Sequence, residues 1–398
     1  MQHKVFGVLN PNLQLQTFLN WLRVFTTQSK LEQDFKQELF ELYPNIQSVH
    51  YALRARSLVY ASLLCLKKEY PKKNEVIIPA YTCKVVVNAV LKAGLKPVFV
   101  DLKKNSLQMN QSLASEQINA STLVFFLQHT FGEYQKIEEI ESKLKHHKVF
   151  IFEDLAHAYY NPQTGEKGDL VLLSFGSNKL FASSYGGALI NKTKYRIVTK
   201  FKPLPWLINW FSCIRMFMVY LIMRLYRCGI GALMAKFLKY NPRSLQQVSR
   251  VEKTSKIKGI NYFKLPKIQI LTCLQALKQF PRHYHYRKQL FNIYKKSINK
   301  NLQVLSHATP QGLFFPVKTK DPKKLAQYLK QHGIYINLSW SFTNFVPKFQ
   351  NATLDAYSQK CEEARQLALQ LVGLPVNLQT RIKDAKKIAQ LINKFHEQ

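Results

Sequence analysis

Short apolar runs alternate with amphipathic stretches along most of the chain. EVIIP from Glu75, PVFVD from Pro97, LVFFL from Leu123, and the segments Val149–Phe152 and Leu170–Phe175 are near-continuously apolar, as strands covered on both faces are. Between the first two lies AYTCKVVVNAVLKAG, which predicts a helix closed by Gly94, because glycine suits the left-handed residue that ends a helix. Strand, helix and strand in succession need a crossover connection, and so a parallel pair. The pattern predicts an α/β fold.

The flanks read differently. Residues 1–50 are helical by pattern, LEQDFKQELFELY most clearly, and residues 1–45 are expected to wrap the body as an N-terminal arm. YALRARSLVYASLLCL follows as a buried helix carrying Leu58, Leu63, Leu64 and Leu66. From about Pro281 the chain alternates a helix through RKQLFNIYKKSINKNL, a strand at GLFFPVKT, a helix at PKKLAQYLKQHG, a strand at IYINLS and a last helix at RIKDAKKIAQLINKF. A length of 398 residues suits two lobes sharing a cleft: a large domain over 46–280 and a small α+β domain over 281–398.

The candidate chemistry sits at the ends of two of the strands. Val149–Phe152 delivers Glu153 and Asp154, and Leu170–Phe175 delivers Ser174 and, beyond it, Lys179. In an open α/β sheet, ligands lie past the carboxyl ends of strands, so an acid and an amine at two such ends mark a site. A lysine there acts as a point charge, a general base or a Schiff-base nucleophile. An acid that keeps a pyridinium nitrogen protonated is the partner pyridoxal 5'-phosphate needs to act as an electron sink, which favours the last role. At the start of the helix that carries Leu58, Arg56 and Ser57 are placed to hold a phosphate, since a helix N-terminus offers free amides and the positive end of its dipole.

The segments PAYTC, EDLAHA and SFGSNK followed by YGG resemble the DegT/DnrJ/EryC1 family of fold-type-I aminotransferases, in both order and spacing. The resemblance implies a large domain with a mostly parallel seven-stranded sheet between helices. It also implies pyridoxal 5'-phosphate carried by Lys179, an acid at the pyridinium nitrogen in Asp154, and a phosphate ligand in Ser174. By the same likeness Cys83 occupies the place of an aromatic residue that stacks on the ring, His157 the place of a residue at the ring hydroxyl, and His129 and Tyr185 substrate-side places. Asn261 is the nearest match to an asparagine that reaches the phosphate from a neighbouring subunit, so a homodimer with shared active sites is implied. The activity implied is a ping-pong transamination of a keto-sugar, nucleotide-linked and destined for polysaccharide or cell-envelope synthesis, with glutamate as donor. Three departures stand out: Ala55-Arg56 in place of a Gly-Thr or Gly-Arg pair, Cys83 in place of the aromatic residue, and Tyr185 where an acid or small residue precedes the two glycines. They leave open a catalytically silent relative with a membrane-associated or regulatory role.

Charge adds one further feature. The formal net charge is +35, which calls for an anionic partner. From Leu170 to Val251 there are thirteen Lys and Arg and no acid, and an apolar insertion over about 203–250 lies inside that stretch. Its run from Pro203 to Met223 approaches the about 20 residues that span a bilayer, but Arg215 at its centre and the flanking Trp206, Trp210 and Tyr220 suit a helix lying in a membrane interface better. Packing on its own domain or at a dimer contact is the alternative. No interleaved basic and aromatic motif points to nucleic acid. The six cysteines lack metal-binding spacing and read as reduced thiols, and MQHKVFGVLNPN lacks an export signal's apolar run, so a cytoplasmic protein, free or peripheral on the inner face of the membrane, is expected.

Overall fold

The structure, a computed structural model, describes residues 5–6, 15–21, 30–158, 164–176, 179–180, 185–198, 200–225, 229–237, 263–303, 312–336, 338, 340 and 360–397. Its strands are β1 (Val5–Phe6), β2 (Ser48–Ala52), β3 (Glu75–Pro79), β4 (Lys96–Val100), β5 (Thr122–Gln128), β6 (Phe150–Asp154), β7 (Leu170–Ser174), β8 (Gly187–Asn191), β9 (Phe314–Lys318), β10 (Ile334–Tyr335) and β11 (Leu371–Pro375). Its helices are α1 (Leu15–Trp21), α2 (Leu31–Leu42), α3 (Ala55–Glu69), α4 (Lys84–Lys92), α5 (Gln111–Gln117), α6 (Glu141–His146), α7 (Trp206–Leu225), α8 (Ile230–Phe237), α9 (Lys267–Ser297), α10 (Pro322–Gln331), α11 (Glu362–Gln370) and α12 (Ile382–Glu397).

Seven strands form one sheet in the order β2-β8-β7-β6-β5-β3-β4. The ladders from β4 through β3, β5 and β6 to β7 are parallel, and only β8 runs against its neighbours, antiparallel to both β7 and β2. Successive side chains of a strand point to opposite faces, and the core divides accordingly. Ile77, Phe125 and Leu127 join Ala114 of α5 and Leu144 of α6 on one face. Val76, Ile78, Val124 and Phe126 join a larger cluster with α3, α4 and the C-terminal elements on the other. The apolar strands are thus buried on both sides, which is why they read as continuous runs. Gly94, with φ +68°, ends α4.

Several expectations need correction. Residues 48–52 are not helical. SVHYA, with a β-branched and an aromatic residue, pairs along its whole length with β8 as an edge strand, and Leu53 and Arg54 intervene before α3 begins. Val5–Phe6 is likewise a strand, parallel to β10. Leu58, Leu63 and Leu66 are buried on α3, but Leu64 is on its outer side. α4 starts only at Lys84, because Ala80–Cys83 is the turn that leaves β3. The lobe boundary placed at 280/281 falls inside α9, which runs unbroken through Pro281. A proline removes one helical hydrogen bond, and the packing of α9 on α2 and α12 holds the helix across that gap. In the C-terminal part β9 and β11 form an antiparallel pair, and of IYINLS only β10 is a strand.

Candidate active site

Three chain ends converge at one edge of the sheet. Ser174, the last residue of β7, pairs with Gly187 at the start of β8, and Gly187 pairs with Ala52 at the end of β2. Directly beyond Ala52 the chain turns into α3, whose first residue lies against β8. A Cβ on Gly187 would sit 2.4 Å from Ala55 Cα, so glycine is required there for the helix start to reach the sheet. Gly186, at φ +136°, makes the turn into β8. The pair of glycines after Tyr185 thus brings the N-terminus of α3 to the ends of β6 and β7.

The cavity at this edge has a volume of about 310 Å³, within the range of small-molecule sites. Asp154, Ser174 and Lys179 line it together, with Cys83, Arg56 and Tyr185 also on its wall. Asp154 ends β6, and its Oδ1 accepts the Ala156 N–H at 2.8 Å. Burial raises the Asp154 carboxyl above its usual range, opposed by that bond and by the charge of Lys179. Burial lowers the Lys179 amine, with Cys83 and Asp154 pulling the other way. An amine and a carboxylate, each shifted by desolvation and each acting on the other, in one cavity mark a candidate site.

Other residues singled out in the sequence lie elsewhere. Ser57 is buried in the first turn of α3, and its N–H donates to the Arg54 carbonyl at 3.0 Å, so that amide serves the helix rather than the cavity. His129 is fully buried behind the site. Its Nδ1 accepts the Gln135 N–H at 3.0 Å, which leaves the proton on Nε2 to donate to Glu153 Oε1 at 2.9 Å. His129 therefore faces the interior rather than the cavity. His157 lies in a turn, not on a helix, and is enclosed between aromatic rings: parallel to Phe131 at 5.4 Å and edge-on to Trp340 at 4.5 Å. Burial, then the charge of Lys179, holds its imidazole well below the usual range. Asn261 lies outside the described residues.

Two wall residues carried no signal in the sequence. Trp340 comes from the C-terminal part of the chain, held by the Tyr81 hydroxyl donating to its carbonyl at 2.6 Å, and it sets an aromatic side chain at a cavity where Cys83 supplies none. Arg54 is the N-cap residue of α3, and its guanidinium stands 4.4 Å from the Tyr185 ring centroid, a cation–π pair at the cavity wall. Phe131 takes a left-handed φ of 53°, uncommon for a bulky residue, and this conformation sets its ring against His157.

Residues 20–202, which hold all of these groups except Trp340, match the model of the DegT/DnrJ/EryC1/StrS aminotransferase family. The chain is 32% identical over 135 residues to a GDP-perosamine synthase of Escherichia coli O157:H7, covering 32% of this chain and 37% of that protein. It is 27% identical over 205 residues to the dTDP-4-amino-4,6-dideoxy-D-glucose transaminase of Shigella dysenteriae, covering 49% of this chain and 54% of that protein. The chain spans between about a third and about a half of the curated relatives it matches. A sugar aminotransferase structure described as putative, Spr1654 of Streptococcus pneumoniae in its PLP form, superposes with a TM-score of 0.70 at 14% identity over 99% of both chains. That likeness is one of fold: an α/β body with a seven-stranded, mostly parallel sheet.

The donor set of this cavity fits pyridoxal 5'-phosphate. A desolvated amine, a buried carboxylate, a hydroxyl at a strand end and an arginine at a helix start are the groups a ring with a carbonyl, a pyridinium nitrogen and a phosphate requires.

Proposed function

We propose that the chain is a pyridoxal 5'-phosphate-dependent aminotransferase that places an amino group on a keto-sugar carried by a nucleotide, with glutamate as donor, in polysaccharide or cell-envelope synthesis. The observation that carries this reading is the placement of Lys179 and Asp154 on one cavity at the carboxyl ends of β6 and β7, inside the DegT-family segment.

Lys179 is the anchor for the cofactor, which supplies an electron sink for a carbanion at the substrate carbon. Burial favours the neutral form of the Lys179 Nζ, so this amine takes up and returns the proton at that carbon. Asp154 holds a proton on the ring nitrogen by its charge, fixed in direction by the Ala156 N–H. Ser174 and Arg56 would bind the phosphate, Trp340 would supply the aromatic wall, and His157, edge-on to Trp340, would act on the ring through that wall. Arg54 and Tyr185 meet the substrate at the wall they share. The working form is a homodimer with shared active sites. Its place is the cytoplasm, at the inner face of the membrane.

The test is an absorption spectrum of the purified protein with pyridoxal 5'-phosphate, beside Lys179→Ala. A visible band that is missing in the variant and bleached by glutamate is the expected result. No band, or a band indifferent to the substitution, overturns the proposal and leaves a fold kept for another purpose.

A further inference from the structure

Between β8 and α9 the chain builds a helical pair, α7 and α8, that pack on each other. α7 is anchored along one side by Cys213, Met216 and Tyr220, and Ile222 is buried on the other side near its end. Tyr220 lies 5.0 Å from the Phe18 ring of α1, and the Gln269 side-chain amide of α9 donates to Cys213 Sγ. The first turns of α7 are exposed among the described residues. Trp206 is 74% exposed, Phe211 66% and Trp210 54%, and on α8 Leu233 is 70% and Phe237 87% exposed. Single exposed apolar residues are ordinary, but a run of large ones along two packed helices marks a surface made to be covered.

The charge around these residues says what covers them. Lys202, four residues before Trp206, and Arg224 and Lys236 within the pair are exposed cations. The whole stretch from Leu170 to Val251 holds thirteen Lys and Arg and no acid. A second copy docked here would bring the same cations against their own kind, in a chain of formal charge +35. An acidic lipid surface complements them, and tryptophan flanked by lysine and arginine suits the boundary between headgroups and acyl chains. Among the described residues no helix is long and apolar enough to cross a membrane, so the pair lies in the surface and does not span it.

We infer that α7 and α8 form a docking surface for an anionic lipid bilayer, with Trp206, Trp210, Phe211, Leu233 and Phe237 entering the headgroup boundary and the flanking cations holding acidic headgroups.

The full chain with its cofactor is floated with vesicles of phosphatidylglycerol and phosphatidylcholine, and with vesicles of phosphatidylcholine alone. The protein is expected to float with the acidic vesicles, with a blue shift of its tryptophan emission, and to bind the neutral ones at least about tenfold more weakly, since each cation near an acidic surface contributes about 1 kcal/mol. Phe211→Glu combined with Phe237→Glu changes two exposed positions, so the fold is kept, and acidic-vesicle binding drops by about tenfold or more. Leu369→Glu, exposed but remote in sequence from the pair, floats as the parent does. Absence of acidic-vesicle binding overturns the inference, as does binding that the double variant leaves unchanged. So does sedimentation showing that the double variant splits an oligomer while the parent ignores vesicles, for the face then joins two copies. None of these readouts depends on the cofactor band, so a failure here is distinct from a failure of the proposed activity.

Discussion

Glu153 Oε1 stands 2.9 Å from His129 Nε2, and both side chains are fully buried. The carboxylate also accepts the N–H groups of Gly165 and Gly168. Burial pushes its pKa up, yet the His129 bond and the two glycine amides outweigh that and hold it below the usual range. Glu153 therefore fixes two things at once: the loop after Thr164 and the end of β6 on which Asp154 sits. Glu153→Ala strips three buried donors of their acceptor, each costing about 1–3 kcal/mol. Urea unfolding is expected to show a loss of at least about 3 kcal/mol. A loss below about 1 kcal/mol would show that water or another acceptor replaces the carboxylate.

The neighbouring carboxylate has a different duty. Asp154→Asn keeps the side-chain shape and the acceptor for the Ala156 N–H, and removes only the charge facing Lys179. Cofactor binding, read from the visible band, is expected to survive, while kcat falls by about two to four orders of magnitude, the usual span for losing an acid–base group. A variant that keeps more than about a tenth of the activity would remove Asp154 from the reaction.

Arg54 and Tyr185 form the part of the wall that sets this chain apart. Arg54→Ala deletes a guanidinium facing the cavity, and a charge-assisted hydrogen bond to an anionic sugar nucleotide is worth about 1.5–3 kcal/mol. KM for the acceptor is expected to rise by about tenfold or more, with kcat changed little. Tyr185→Leu loses the cation–π contact, about 0.5–1 kcal/mol, and raises KM by about two- to fivefold. Steady-state kinetics with the acceptor varied separates the two. Equal losses in kcat and kcat/KM for Arg54→Ala would place it at the reacting atoms instead.

What could be read from the sequence and what could not divide on physical lines. β3 to β7 were legible because a strand buried on both faces must be apolar throughout, and Asp154, Ser174 and Lys179 were legible because strand ends fix where chemistry goes. β2 was not, since an edge strand is specified by its partner's backbone rather than by its own alternation. His129 took a substrate-side place from the family likeness at the end of its strand. Its side chain turns inward to a carboxylate on the adjacent strand, a pairing of residues 129 and 153 that no local pattern encodes. Trp340 and Arg54 reach the cavity through the packing of the C-terminal part and through the cap of α3, both of them tertiary facts. The continuity of α9 through Pro281 belongs to the same class, because packing on two other helices overrides a helix-breaking residue.

The acid stability of the protein rests on a contest between buried groups. Burial, then the charges of Arg287 and Arg282, lowers the His283 imidazole from 6.5 to about 4, and His157 is held down in the same direction. Between these limits the folded protein keeps both rings neutral while the unfolded chain protonates them. Their contribution is therefore complete above about pH 6.5 and is lost as the pH falls towards 4. Glu133 works the other way. Burial pushes its carboxyl up to about 7 against the Leu107 N–H and the Ser106 hydroxyl, so from pH 7 down to its ordinary 4.5 the folded state binds a proton that the unfolded state does not. Among these three groups, two imidazoles against one carboxyl leave the unfolded chain about one proton ahead near pH 5.5, a contribution of about 1.4 kcal/mol lost per pH unit as the pH falls. Urea midpoints at pH 7, 6 and 5 measure this slope. His283→Gln removes one of the two imidazoles and is expected to lower the slope by about 1.4 kcal/mol per pH unit, whereas Glu133→Gln removes the opposing carboxyl and is expected to raise it by about as much. If both variants changed the slope in the same direction, the assignment of opposite signs to these two buried groups would be wrong.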